Sequence, residues 1–254
     1  MPFAAVNGVD LYYESEGEGP ALVFCHGADG NHMSWWQQVP AFSDHYRCVV
    51  FDHRGFGRSK VEEGQGGDGH YVADMHALLD HLGVDRVILV GQSMGNRSGL
   101  GYALVHPDRV RAVAVCDGLA SFSDEAIDRR IAESRASREA GAELTYLLAP
   151  DFPEREPKKL LLYRQISRLN PKRPAGPSQD RFGLDDLRRF QIPALFIAGQ
   201  YDHLSPPDVL QQLAEVVPNG RFKLITNAGH SAHFERPDEF NRLLMEFLSE
   251  VPAD

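Results

Sequence analysis

The run Val87-Ile88-Leu89-Val90-Gly91-Gln92-Ser93-Met94-Gly95 constrains this chain more than any other stretch. Its first four residues are apolar and mostly β-branched, the composition of a buried strand. The strand stops at a Gly-x-Ser-x-Gly pattern, and a helix-like segment follows from Met94 to about His106. A serine on so sharp a strand-to-helix turn stands with its hydroxyl exposed above the sheet edge. Gly91 and Gly95 omit the Cβ atoms that would block close backbone approach there. Gly99 and Gly101 fall inside the helix, where each costs about 1 kcal/mol against alanine. Their presence predicts tight helix–sheet packing. The five-residue pattern alone carries little weight; the flanking strand and helix give it meaning.

The rest of the chain repeats that strand-then-helix rhythm. Strand-like runs occupy 21–25, 46–51, 85–90 and 110–116, then 194–198 and 221–225. Helix-like segments lie between them at about 33–43, 69–82, 94–106, 206–217 and 235–250. Such alternation implies right-handed crossovers and an α/β fold, a mostly parallel twisted sheet with helices on both faces. An opening hairpin around Asn7-Gly8 is expected to add an antiparallel edge.

Residues 119–190 break the rhythm with arginine-rich helical segments and scattered prolines. The expected organisation is therefore a core of 1–118 and 191–254 with a helical cap inserted at 119–190. The insertion carries 14 Lys/Arg against 12 Asp/Glu, while the whole chain has a net charge of -10. Inserted after a core strand, it would roof the carboxyl ends of the strands, where open α/β sheets bind ligands. Its slight positive bias would suit an anionic substrate, but solvated helix faces are the simpler account of it.

Charge and composition narrow the function classes. An acidic chain with 24% charged residues lacks the basic footprint of a nucleic-acid or anionic-membrane binder. No apolar run approaches the roughly 18 residues of a membrane span. The N-terminal stretch lacks the basic and apolar regions of a secretory leader. Cys25, Cys48 and Cys116 are odd in number and lack paired spacing, so core thiols and a cytoplasmic location are expected. Oligomeric state is unreadable from these features.

A serine hydroxyl needs a base to take its proton, the base needs an orienting acid, and acyl chemistry needs an oxyanion hole. On strand–turn–helix elbows the chain order is serine, acid, histidine. His230, in Thr226-Asn-Ala-Gly-His-Ser after the last strand, is placed to be the base. Two acids compete: Asp202, after the strand 194–198, and Asp117, at the end of the preceding core strand. Chain order favours Asp202. The oxyanion donors expected are the backbone N–H groups of Met94 and of Ala28, the latter in Cys25-His-Gly-Ala-Asp-Gly. Gly27 and Gly30 in that loop also read as ordinary turn residues.

Together His26-Gly27, Trp35-Trp-Gln-Gln-Val-Pro-Ala-Phe, Phe51-Asp-His-Arg-Gly-Phe-Gly-Arg-Ser, Gly91-Gln-Ser-Met-Gly, His106-Pro-Asp-Arg-Val and Gly229-His-Ser-Ala-His-Phe-Glu-Arg-Pro resemble the α/β-hydrolase fold superfamily. The run spans nearly the whole core, and the overall pattern is most similar to the 3-oxoadipate enol-lactonase and small-carboxylesterase branch. The cap matches no motif. The resemblance implies Ser93, Asp202 and His230 as a catalytic triad, Ala28 and Met94 as oxyanion donors, a small-molecule ester or lactone as substrate, and no cofactor or metal. Asn96 stands where many relatives carry a second glycine after the elbow, so the pocket floor is expected to differ there. Trp35, Phe122, Tyr146, Phe152, Tyr163 and His233 are candidates for the substrate pocket, although Trp35 reads first as core packing, the four cap aromatics read equally as holding the cap together, and His233 reads as structural or pocket-lining.

Two other functions share these residues. Glu239-Phe-Asn-Arg-Leu resembles the meta-cleavage C–C hydrolases, which would use the same triad on a diketone. A ligand receptor retaining fold and triad without turnover is the other. Gly64-Gln-Gly-Gly-Asp-Gly satisfies G-x-G-x-x-G but follows no strand, so a surface loop is expected rather than a dinucleotide site. His76 and Asp80 share a helix face but are too few for a metal site. Asp52 and Arg54 are expected to make structural loop contacts.

Overall fold

The computed structural model describes residues 3–119, 122–136, 147–171 and 175–252. Strands β1 (Phe3–Val6) and β2 (Val9–Glu16) form the opening hairpin. The other strands are β3 (Ala21–Cys25), β4 (Arg47–Phe51), β5 (Val87–Gln92), β6 (Val110–Cys116), β7 (Ala194–Gly199) and β8 (Gly220–Ile225). They form one sheet in the order β1-β2-β4-β3-β5-β6-β7-β8. Strands β4 to β8 and β3 run parallel, and β2 joins β4 antiparallel. Every strand run read from the sequence is present, with ends moved by at most two residues.

The central strands are apolar throughout because each face packs on a different core. Val23, Leu89, Val115 and Phe196 point to one side, with Met75, Leu78, Leu100 and Leu213. Leu22, Phe24, Val90 and Ile197 point to the other, with Phe42, Phe240, Leu244 and Phe247. Ten helices are described: α1 (Val39–Phe42), α2 (Tyr71–His81), α3 (Asn96–Val105), α4 (Glu125–Ala136), α5 (Phe152–Arg155), α6 (Pro157–Arg168), α7 (Leu184–Arg189), α8 (Pro207–Val216), α9 (Ala232–Glu235) and α10 (Pro237–Ser249). Helices α2, α3 and α8 supply the first core, α1 and α10 the second. None of the described helices is long and apolar enough to cross a membrane. The three cysteines are free and buried within strands, and burial pushes each thiol up, Cys48 to about 12.

The order of the strands locates the site. From β3 the chain steps outward to β4, then crosses back over β3 to lay down β5 on its other side. Loops leaving β3 and β5 therefore diverge, and the crevice between them is where an α/β sheet takes its ligand. Ser93 stands at the end of β5, and Ala28 in the loop after β3.

Between β6 and β7 lie α4 to α7 and one isolated parallel bridge, Phe122 to Phe182. The return segment of this insertion is bound to the glycine-rich loop before α2. Gly66 and Gly69 N–H groups donate to the Ala175 and Pro177 carbonyls (3.2 and 3.0 Å), and Gln179 N–H to Asp68 (2.9 Å). That loop is exposed over residues 62–65 and at Gly69, with Gly66 and Asp68 buried between them. The sequence hid its second role because the bonds involve backbone. Asp52 and Arg54 do make structural contacts: Arg54 forms two 2.5 Å hydrogen bonds to Asp74, and Asp52 accepts from the His32 and Arg58 N–H groups at 2.7 Å.

Ser93 has φ of 53°, in the left-handed region that side-chain-bearing residues rarely occupy. The turn closes because Gly95 lies directly on the end of β3. A Cβ at Gly95 would overlap the Cys25 carbonyl oxygen and come within 2.8 Å of the His26 carbonyl oxygen. Gly95→Ala is expected to lower stability by about 1–3 kcal/mol, the usual cost of overpacking, with a fall in the urea midpoint at unchanged m-value. An unaltered midpoint would show that β3 does not clamp the turn.

Candidate active site

Three loops at the carboxyl edge of the sheet meet above Ser93. His230 Nε2 is 2.7 Å from Ser93 Oγ, and His230 Nδ1 is 2.9 Å from Asp202 Oδ2. A carboxylate can only accept, so Nδ1 carries the proton and Nε2 is left to accept from the serine hydroxyl. The other oxygen of Asp202 accepts from the Leu204 and Ser205 N–H groups (2.8 and 2.9 Å). Asp202 is thereby fixed in one orientation and nearly removed from solvent.

Asp117, the rival acid, is committed elsewhere. It is fully buried, and its two oxygens accept from Gly199 N–H (2.9 Å) and Ala232 N–H (3.0 Å). It ties the end of β7 to the start of α9 and does not reach the imidazole by hydrogen bond. Burial, followed by the neighbouring charge of Asp202, raises its carboxyl to about 7.

Further side chains hold the His230 loop. Gln92, the residue before the elbow serine, donates to the His230 carbonyl oxygen (2.7 Å). Glu235 accepts from Gly229 N–H with one oxygen and from Ala149 N–H with the other, both at 2.7 Å. One buried carboxylate thus bridges the insertion and the loop bearing His230. The approach is close enough that a Cβ at Gly229 would stand 2.6 Å from the Leu148 carbonyl carbon. Burial pushes Glu235 up to about 8, against the two N–H groups that favour its charged form. Burial also works against a charged His230; the Asp202 carboxylate, with Asp117 and Asp29, outweighs it and raises the imidazole.

The loop after β3 has its own support. His26 Nδ1 donates to the Gly27 carbonyl (2.7 Å), and its Nε2 accepts from His53 N–H (3.0 Å). His53 Nε2 lies 2.7 Å from Ser98 Oγ on α3. Burial holds both rings neutral, His26 at about 4 and His53 well below its ordinary value.

Two cavities share Ser93 and Ala28. One, of 430 Å³, is walled by His230, Leu147, Tyr163, Leu204 and Phe234 among others; the second, of 530 Å³, by Met94, Leu119, Phe122 and Ile131 among others. Of the pocket candidates, Tyr163 and His233 line the first cavity and Phe122 the second. Trp35 and Phe152 line neither. Both are fully buried, Trp35 packed on Phe24 and His233, and Phe152 on Phe234. Tyr146 lies outside the described residues. Asn96 is also turned away from the cavities, its Nδ2 donating to the Cys116 carbonyl (3.1 Å). It pins the elbow to β6 rather than reshaping the floor. Gln92, Asp117 and Glu235 were not singled out as supports, although each stands inside or beside a motif. Among the described residues no cluster of three or more His, Cys, Asp or Glu could hold a metal ion, and His76 simply faces Asp80 at 3.6 Å.

A family model for the alpha/beta hydrolase fold matches residues 20–142 and 146–237. The chain belongs to that family, and a hydrolase is the class of protein that its fold and site define. It is 30% identical over 275 residues to a putative carbamate hydrolase RutD of Caulobacter sp. (strain K31), covering 98% of each chain. Among solved structures it resembles a thermophilic esterase from Thermogutta terrifontis, with a TM-score of 0.82 and 26% identity over 100% of this chain and 98% of that one. It also resembles the enol-lactonase from Burkholderia xenovorans LB400, with a TM-score of 0.80 and 28% identity over 98% of this chain and 100% of that one.

Because Glu235 binds its proton more tightly in the folded state, it stabilises fully below its ordinary value of 4.5 and loses that contribution as pH rises through about 8. Glu235→Gln is expected to flatten the fall in unfolding free energy across that window. Denaturation curves with the same slope against pH in both proteins would contradict this.

Proposed function

We propose that the protein hydrolyses a small to medium carboxylic ester or lactone through an acyl-enzyme, with Ser93 as nucleophile, His230 as base and acid, and Asp202 as the group that orients the imidazole. The observation that carries this reading is the continuous hydrogen-bonded line Ser93–His230–Asp202 at the junction of two cavities. The Oγ–carbon bond forms as the serine proton passes to His230 Nε2. The carbonyl oxygen gains negative charge and is held by the N–H groups of Ala28 and Met94. His230 then returns the proton to the departing alkoxide as the ester C–O bond breaks. Water, deprotonated by the same Nε2, cleaves the acyl-enzyme to give the acid and free Ser93. Residues 119–190 act as a helical cap over a core of 1–118 and 191–254. The likeness to an esterase and an enol-lactonase supports the ester and lactone substrates.

The neutral imidazole is the working form, so hydrolysis of p-nitrophenyl butyrate is expected to rise with pH through a midpoint above the ordinary histidine value of about 6.5. Ser93→Ala is expected to lower kcat by at least about four powers of ten, and Asp202→Asn by roughly three to four, through the wrong tautomer. Undiminished turnover in Ser93→Ala would end this reading.

A further inference from the structure

The two cavities that meet at Ser93 differ in charge. The first, on the His230 side, has Asp29 in its wall and no lysine or arginine among its described lining residues. The second is walled by Arg97, Arg135 and Arg181, with Asp128 as the acidic residue among them. Arg181 lies 3.3 Å from Asp128 and donates to the Phe122 carbonyl (2.9 Å), and Arg97 pairs with Asp68. Arg135, near the end of α4, donates to the Leu204 carbonyl oxygen (3.2 Å), and among the described residues no carboxylate pairs with it. Among the described residues, an anion entering the second cavity therefore meets a guanidinium with no carboxylate partner, and one entering the first meets the Asp29 carboxylate.

Mechanism fixes which half of an ester enters which cavity. His230 must deliver its proton to the leaving oxygen, so the alcohol half departs on the side where the imidazole forms the wall, the first cavity. The acyl half must then extend from Ser93 past Met94 into the second cavity. From this division we propose that the substrate is a half-ester of a dicarboxylic acid: its acyl half ends in a free carboxylate held in the second cavity by Arg135, and its alcohol half is uncharged. Leu119, Phe122 and Ile131 enclose the methylenes between ester and carboxylate. Hydrolysis yields the dianion of the diacid, a proton and a neutral alcohol. The proposal rests on the ester-hydrolysis reading and adds the polarity and orientation of the substrate.

Turnover followed by pH-stat tests it. Monoethyl glutarate and monoethyl adipate are compared with ethyl butyrate and ethyl hexanoate, and with butyryloxyacetate, which carries its carboxylate on the alcohol half. The half-esters are expected to exceed the neutral esters in kcat/KM by about 10-fold, as for a charge-assisted hydrogen bond, chiefly through KM. Butyryloxyacetate is expected to fall below ethyl butyrate, since its charge faces Asp29. Arg135→Gln is expected to lower the half-ester to neutral-ester ratio by about 3- to 10-fold. High salt should narrow the preference in the wild type. Turnover of neutral esters with no half-ester preference, or equal preference for butyryloxyacetate, would overturn the proposal and leave ester hydrolysis standing. No hydrolysis of any of the five would overturn both.

Discussion

Everything at the site depends on a backbone conformation that a serine does not choose. At φ of 53°, Ser93 is held above the sheet by packing rather than by its own preference. The parts that hold it are small and apolar: Gly95 against the end of β3, Gly91 beneath Asn96, and Gly118 against the Ser93 Cα. Each is a place where a side chain would force backbones apart. The position of Ser93 is therefore a property of the β3–β5–β6 packing. The same contacts place the loop after β3 close by, which is why Ala28 and Met94 wall the same space.

Loops beyond the strand ends have no ladder to fix them, and here buried carboxylates take that part. Asp202 closes its own turn, Asp117 joins the end of β7 to α9, and Glu235 joins the His230 loop to the insertion. Every oxygen of the three accepts a backbone N–H or the imidazole, as buried polar groups must. Crowding several acids into one dry region has an electrostatic consequence. Asp117, Glu235 and His230 all bind protons more readily than they do in water, burial being the first cause for the acids and, for the imidazole, acidic neighbours prevailing over burial. Those three groups lean towards protonation while burial keeps the His26 and His53 rings neutral, and Asp202 is the partner of His230 because it is the one whose oxygen faces Nδ1.

The core was legible because its signals are periodic or short-range. Strands buried on both faces read as continuous apolar runs, and the elbow declares itself through five consecutive residues. Ser93, Asp202 and His230 could be paired because chain order on such an elbow is constrained. Chain order favoured Asp202 over Asp117, but both follow parallel strands, and what each does lies in which groups face it. Gln92 and Glu235 escaped because their partners are backbone atoms 138 and 86 residues away. Of the two readings open for Trp35 and Phe152, packing is the one found: both rings are fully buried and line neither cavity, because a large apolar ring suits a pocket wall and a core equally well in sequence. The arginine-walled cavity was visible only as a faint charge bias, because Arg97, Arg135 and Arg181 come from three distant stretches.

This division of labour explains how one core can serve different substrates. The Ser93 hydroxyl, the His230 imidazole and the loop after β3 are held by close packing and by buried side chains. The second cavity, by contrast, is walled mostly by residues between β6 and β7, Phe122 and Arg135 among them, whereas the first takes Leu147, Tyr163 and Ile166 from that stretch and most of its wall from the core. Among the described residues, bonds that cross to the core near His230 include Ala149 N–H to Glu235 and Tyr163 to Ser231, the first of them buried. Changes in the insertion can therefore alter the size and charge of each cavity while the distance from Oγ to Nε2 stays set by the core. Reaction type and substrate choice are then separable properties of this chain, carried by different contacts of very different stiffness.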